Sequence, residues 1–120
     1  MHLNIYIDDT HLEEGDLNKM LKPVSESISG WIGEKKKNVQ LLSQQSEVDD
    51  ISRLGMSLQI KSKFKLKDPL NFLYTLAKEY KCEFAIAIVN PDTADSEDVC
   101  YFGFEEGRPD LFEIANYLDL

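Results

Sequence analysis

Apolar and polar residues alternate from His2 to Asp8, with Leu3, Ile5 and Ile7 on one side and Asn4, Tyr6 and Asp8 on the other. That period of two predicts a strand with one buried face. From Asp16, a candidate N-cap, Leu17, Met20, Leu21, Val24, Ile28 and Ile32 recur at helical spacing as far as Gly33. Pro23 lies inside that run, lacks a backbone N–H, and predicts a kink or a division into two short helices. Residues 38–43 read as a short strand and 44–50 as a polar connection. The clearest alternation is 56–66, which predicts a strand with Met56, Leu58, Ile60, Phe64 and Leu66 inward. Its outward side would carry Lys61, Lys63, Lys65 and Lys67, a lysine row that keeps a sheet edge soluble.

Asp68-Pro69 reads as a cap followed by proline at the first helical position, opening a helix with Leu70, Leu73, Leu76, Ala77 and Tyr80 as its buried stripe. Residues 83–89 are nearly continuously apolar, the mark of a central strand. A polar loop over 90–98 leads to a strand over 99–105, and Gly107-Arg108-Pro109-Asp110 breaks the chain before a final helix from Leu111. The order is β-α-β-β-α-β-β-α. This predicts an α+β fold in one domain, residues 1–120, with a mainly antiparallel five-stranded sheet and helices on one face. Its first six elements resemble the ferredoxin-like pattern. Ala85 and Ala87 would present small residues on the open face.

Composition limits what such a domain does. The 120 residues hold 13 Lys and Arg against 22 Asp and Glu, a formal charge of -9. Direct nucleic-acid binding needs a basic footprint, so this balance argues against it. No apolar run approaches the ~18 residues of a membrane span, and the first residues lack the basic start and apolar stretch of a secretory signal, so a cytoplasmic location is expected. Cys82 and Cys100 are expected to be free thiols. With Val89 facing Val99 and Cys100 facing Ile88, they would stand ~20 Å apart, whereas a disulfide needs Cα atoms within ~7 Å.

Charge is unevenly distributed along the chain. Residues 1–18 hold five acids and no Lys or Arg, 19–81 hold twelve bases and seven acids, and 82–120 hold ten acids and one base. The predicted topology gathers Asp8, Asp9, Glu13, Glu14, Glu47, Asp49, Asp50, Glu105 and Glu106 at one end of the sheet, with Tyr6 and Tyr101 nearby. Like charges so concentrated repel one another, and a basic partner would relieve that repulsion. Lys35, Lys36 and Lys37, after the first helix, would lie at the opposite end.

The chemistry of a small enzyme is sparse. His2 and His11 are the only histidines, and neither has a Ser or Cys beside it in a nucleophile motif. No glycine-rich phosphate loop, CxxC or HExxH is present, so no cofactor is implied. Asp8, Asp9, Glu13 and Glu14 are the best metal candidates, yet their spacing matches no established Mg²⁺ or Ca²⁺ loop. Two readings follow from the residues: an adaptor or regulator that docks a basic protein, and a small metal-dependent enzyme.

The segment YFGFEEGRPDLFEIANYL, residues 101–118, on a short acidic chain without catalytic motifs resembles the small immunity proteins of bacterial polymorphic toxins, including those of contact-dependent growth inhibition systems. The resemblance implies a non-enzymatic cytoplasmic protein that binds one cognate toxin domain, often a basic nuclease, and blocks its active site or substrate groove. On that reading the acids named above would form the toxin-binding surface, with Tyr6 and Tyr101 as aromatic anchors.

Overall fold

A computed structural model describes residues 1–10, 12, 13, 15–33, 38–45 and 51–120. His11, Glu14, Lys35, Lys36, Lys37, Glu47, Asp49 and Asp50 therefore lie outside the described residues, along with the expectations placed on them. Among the described residues nine elements follow one another: β1 (His2–Asp8), α1 (Asp16–Ile32), β2 (Val39–Gln45), β3 (Ile51–Gln59), a 3₁₀ turn (Lys63–Leu66), α2 (Lys67–Tyr80), β4 (Glu83–Val89), β5 (Ser96–Gly103) and α3 (Leu111–Tyr117). The strands form one antiparallel sheet in the order β2-β3-β1-β4-β5. The fold is thus the α+β arrangement that the alternation predicts, with the ferredoxin-like order over its first four strands and β5 added beside β4.

The alternation in β1 sets the two faces. Leu3, Ile5 and Ile7 are at most 1% exposed and join Leu54, Met56, Leu58, Phe84, Ile86 and Phe102 beneath the helices. Leu17, Val24 and Ile28 of α1, Leu70, Leu73, Leu76 and Ala77 of α2, and Ile114 of α3 complete that cluster. Pro23 does not divide α1, which runs unbroken for 17 residues. Buried anchors on both sides of the proline, Leu17 before and Val24 and Ile28 after, hold the helix to one sheet face despite the missing N–H.

The predicted strand over 56–66 is corrected. The strand starts at Ile51 and stops at Gln59, and of the alternating lysines Lys61 falls on the bend that follows, Lys63 and Lys65 on the 3₁₀ turn and Lys67 at the start of α2. Ser62 explains the change, because its side chain accepts the Phe64 N–H and starts the turn. Phe64 is consequently 67% exposed, although Leu66 is fully buried as expected. Asp68 and Pro69 sit inside the first turn of α2, two positions later in the helix than their predicted cap and first positions, because the cap is Leu66.

The loop before β5 is also shorter than predicted. The Asn90 side chain accepts the N–H groups of Asp92 and Thr93, and the Asn90 N–H donates to the Asp95 carbonyl at 2.7 Å, closing the turn by residue 95. Ser96, Glu97 and Asp98 then pair with Val89, Ile88 and Ala87, and a bulge follows. Polar residues are tolerated there because β5 is an edge strand. Cys100 lies opposite Ile86 instead of Ile88, two positions nearer Cys82, and both thiols are free. Among the described residues no helix is long and apolar enough to cross a membrane.

Candidate functional site

Three strand termini meet at one end of the sheet. Asp8 at the end of β1 lies opposite Glu83 at the start of β4, which lies opposite Gly103 at the end of β5. Beyond Gly103 the chain makes a closed turn: Gly103 and Gly107 exchange two backbone hydrogen bonds of 3.0 and 2.9 Å, and the Phe104 N–H donates to the Cys82 carbonyl at 3.1 Å. The Glu83 carboxylate accepts the Glu105 N–H at 3.0 Å and the Glu106 N–H at 2.7 Å. Glu83 therefore neutralises the turn's backbone donors, and the Glu105 and Glu106 side chains stay exposed. Only glycine serves at 103, where φ is +152° and an added Cβ would stand 2.6 Å from the Cys82 carbonyl oxygen.

The neighbouring acids divide by role. Asp8 accepts the Thr10 N–H and hydroxyl, Asp16 accepts the Glu13 N–H, and Asp110 caps α3 by accepting the Phe112 and Glu113 N–H groups. Asp9 and Glu13 are exposed, as are Glu105 and Glu106. Among the described residues the only ion pair within 4.0 Å is Lys19–Asp16. The end is less purely negative than the topology predicts, since α2 also finishes there with Lys78 and Lys81. Lys78 and Arg108 are engaged on the helix side, both lying over the Tyr74 ring at 4.9 and 5.6 Å.

Next to these acids lies the sheet face without helices. Tyr6 sits opposite Gly55 and Ala85, and Ala85 opposite Tyr101, so both predicted aromatics fall in one row. The Arg53 guanidinium stacks 4.8 Å from the Tyr6 ring centroid and donates to the Ser96 hydroxyl at 3.0 Å, while the Tyr6 hydroxyl donates to Asp98. Arg53 is on β3 and Ser96 on β5, with β1 and β4 between them. Such contacts require a face curled into a trough, as strong sheet twist produces. Ala85 and Ala87 point to this face yet are almost fully buried, between Tyr6 and Tyr101 and between Asn4 and Asp98. The Asn4 side-chain oxygen is buried there without a hydrogen-bond partner among the described residues.

Burial first, and then the Asp98 carboxylate, push the Tyr6 phenol well above its ordinary pKa; Asp98 first, and then burial, raise that of Tyr101. The two tyrosines differ in availability. Tyr6 is half-buried and tied into the network, whereas Tyr101 is 48% exposed. Sequence spacing singled out both tyrosines and placed Glu83 at the acidic end, but it missed Arg53 and Ser96, the bracing role of Glu83, and the place of Asp98, expected in a loop at the opposite end, beside Tyr6. Of the two missed outright, only Arg53 left a signal, as one of two arginines in a lysine-rich chain.

The remaining chemistry is limited. Folding places His2 Nε2 2.6 Å from the Ser57 hydroxyl, a pairing that sequence adjacency does not show. Among the described residues no carboxylate orients the other ring nitrogen, as a serine nucleophile's base requires. Nor do any three His, Cys, Asp or Glu among them form a group able to hold a metal ion. Burial pushes Cys82 up to about 12 and Cys100 up to about 11, from the ordinary 9.0. The folded state thus holds these protons more tightly than the unfolded chain. Their contribution to stability is complete below pH 9.0 and is lost as the pH rises through about 11 and about 12. Urea unfolding at pH about 8 and about 10.5 should show lower stability at the higher pH, with iodoacetamide labelling both thiols far faster in denaturant than in buffer. No protein-family model, curated protein or solved structure matches this chain.

Proposed function

We propose that this protein is a cytoplasmic immunity protein that binds and neutralises a basic, nuclease-type domain of a polymorphic toxin. The observation that carries the reading is the exposed Glu105–Glu106 turn, held by Glu83 near the exposed Asp9 and Glu13, which have no ion-pair partner among the described residues. A fixed cluster of carboxylates destabilises a small fold by self-repulsion and offers no catalytic gain by itself. A cationic partner offsets that repulsion. It is also drawn in by the field, which speeds association and sets its register.

Tyr101 and Arg53 in the adjoining trough are residue types that anchor interfaces once water is excluded around them. The acids would occupy lysines and arginines with which a nuclease holds phosphates, so substrate and inhibitor compete for the same cations. An adaptor that docks a basic protein without inhibiting it would use the same surface, and toxin co-expression separates the two readings. Producing this chain together with a basic toxin domain encoded beside it should restore growth and yield a complex that co-purifies. Cell death at matched expression, with no complex, would remove the immunity reading.

A further inference from the structure

At the opposite end of the sheet, a groove of about 650 Å³ lies between the end of α1, the start of β2, the end of β3 and the 3₁₀ turn. Its volume falls within the range of sites that hold a ligand or an inserted side chain, ~300–1,000 Å³. Trp31, Val39, Leu58 and Ile60 supply apolar lining, and the Trp31 ring is braced by stacking on Phe72 at 4.9 Å. Phe64, 67% exposed, lies at the groove. Lys61 and Lys65 also line it, both exposed and without an ion-pair partner among the described residues; Asp68 is the one carboxylate among the described lining residues.

We infer that this groove binds an acidic segment of a partner protein, with an aromatic side chain inserted beside Trp31 and flanking carboxylates paired with Lys61 and Lys65. Charge complementarity selects this occupant. Its described lining carries two lysines, Lys61 and Lys65, against the one carboxylate of Asp68, in a chain whose net charge is otherwise strongly negative. Two lysines beside an apolar lining and Asp68 suit a short anionic motif with one anchor better than a polyphosphate backbone, which needs a longer cationic track. The exposed Phe64 would gain cover from the inserted ring. This site is separate from the acidic end, so its partner segment has the opposite charge from the toxin surface proposed above.

Trp31 is the sole tryptophan and reports on the groove directly. The probe is the N-acetylated, amidated peptide Glu-Glu-Phe-Glu-Glu, compared with Lys-Lys-Phe-Lys-Lys and Glu-Glu-Gly-Glu-Glu. The first should shift Trp31 emission saturably, and the two controls at least tenfold more weakly. Lys61→Glu with Lys65→Glu should weaken binding at least tenfold while circular dichroism stays unchanged, since both side chains are exposed and have no ion-pair partner among the described residues. Glu105→Lys with Glu106→Lys should leave peptide binding unchanged, so failure here is distinguishable from failure of the toxin reading. An equal response to the lysine peptide, an undiminished response in the Lys61/Lys65 variant, or no saturation by the acidic peptide would overturn the inference.

Discussion

Glu105→Lys combined with Glu106→Lys is expected to abolish protection against the cognate toxin and slow complex formation about ten- to a hundredfold at low salt, within the range that electrostatic steering supplies. The fold should survive, because Glu83 receives the backbone N–H groups of residues 105 and 106 and the substitutions leave that backbone in place. Two lysines beside the Glu83 carboxylate would in fact reduce local repulsion. The thermal midpoint should therefore hold while association falls, a separation that a merely structural role cannot produce. Asp92→Lys with Asp95→Lys makes the same change in net charge on the β4–β5 loop, at the other end of the sheet. It should weaken binding much less. Equal losses in both variants would mean that net charge alone drives association, and undiminished affinity in the Glu105/Glu106 variant would remove the acidic end as the toxin surface. Raising the salt concentration should narrow the difference between native protein and variant, as screening requires.

Period-two and helical spacing were sufficient to read the element order, because each element has one face in the single core. Leu3, Ile5 and Ile7 show this in β1, and Leu70, Leu73, Leu76 and Ala77 in α2. The failures occur where side chains bond to nearby backbone. Residues 61–67 alternate like a strand, yet Ser62 captures the Phe64 N–H and bends the chain. Ser96, Glu97 and Asp98 look like loop, yet the Asn90 turn brings them back onto β4. At the candidate site, Asp8, Asp9, Glu13, Glu105 and Glu106 were legible because topology carries strand ends to a common place. Glu83 as the brace of a turn was not, nor was the trough joining Arg53 to Ser96 across two intervening strands. Both depend on a curvature and a register that periodicity leaves open.

That register rests on one glycine, and Gly55→Ala is expected to destabilise the protein by about 3 kcal/mol or more, at the upper end of what overpacking costs. A Cβ at 55 would stand 1.9 Å from the Ile5 carbonyl oxygen and 2.6 Å from the Tyr6 Cα, and both of those atoms are backbone of the central strand. No rotamer relieves such a clash. β3 would have to move away from β1, loosening the contact of Leu54, Met56 and Leu58 with Leu3, Ile5 and Ile7 in the core. Since whole domains are stable by only ~5–15 kcal/mol, this one methyl group removes a large share of the margin. The damage also reaches the candidate site. Tyr6 lies opposite Gly55 and Arg53 only two residues before it, so a displaced β3 pulls the guanidinium from the Tyr6 ring and from Ser96. Gly30→Ala provides the contrast: it lies in α1 with nothing within 4 Å of the added Cβ, and alanine there should stabilise by about 0.5–1 kcal/mol. Urea unfolding of the two variants should move the midpoint in opposite directions. A Gly55→Ala protein as stable as the native one would mean that β3 does not approach β1 this closely, and the trough built on that approach would lose its geometry.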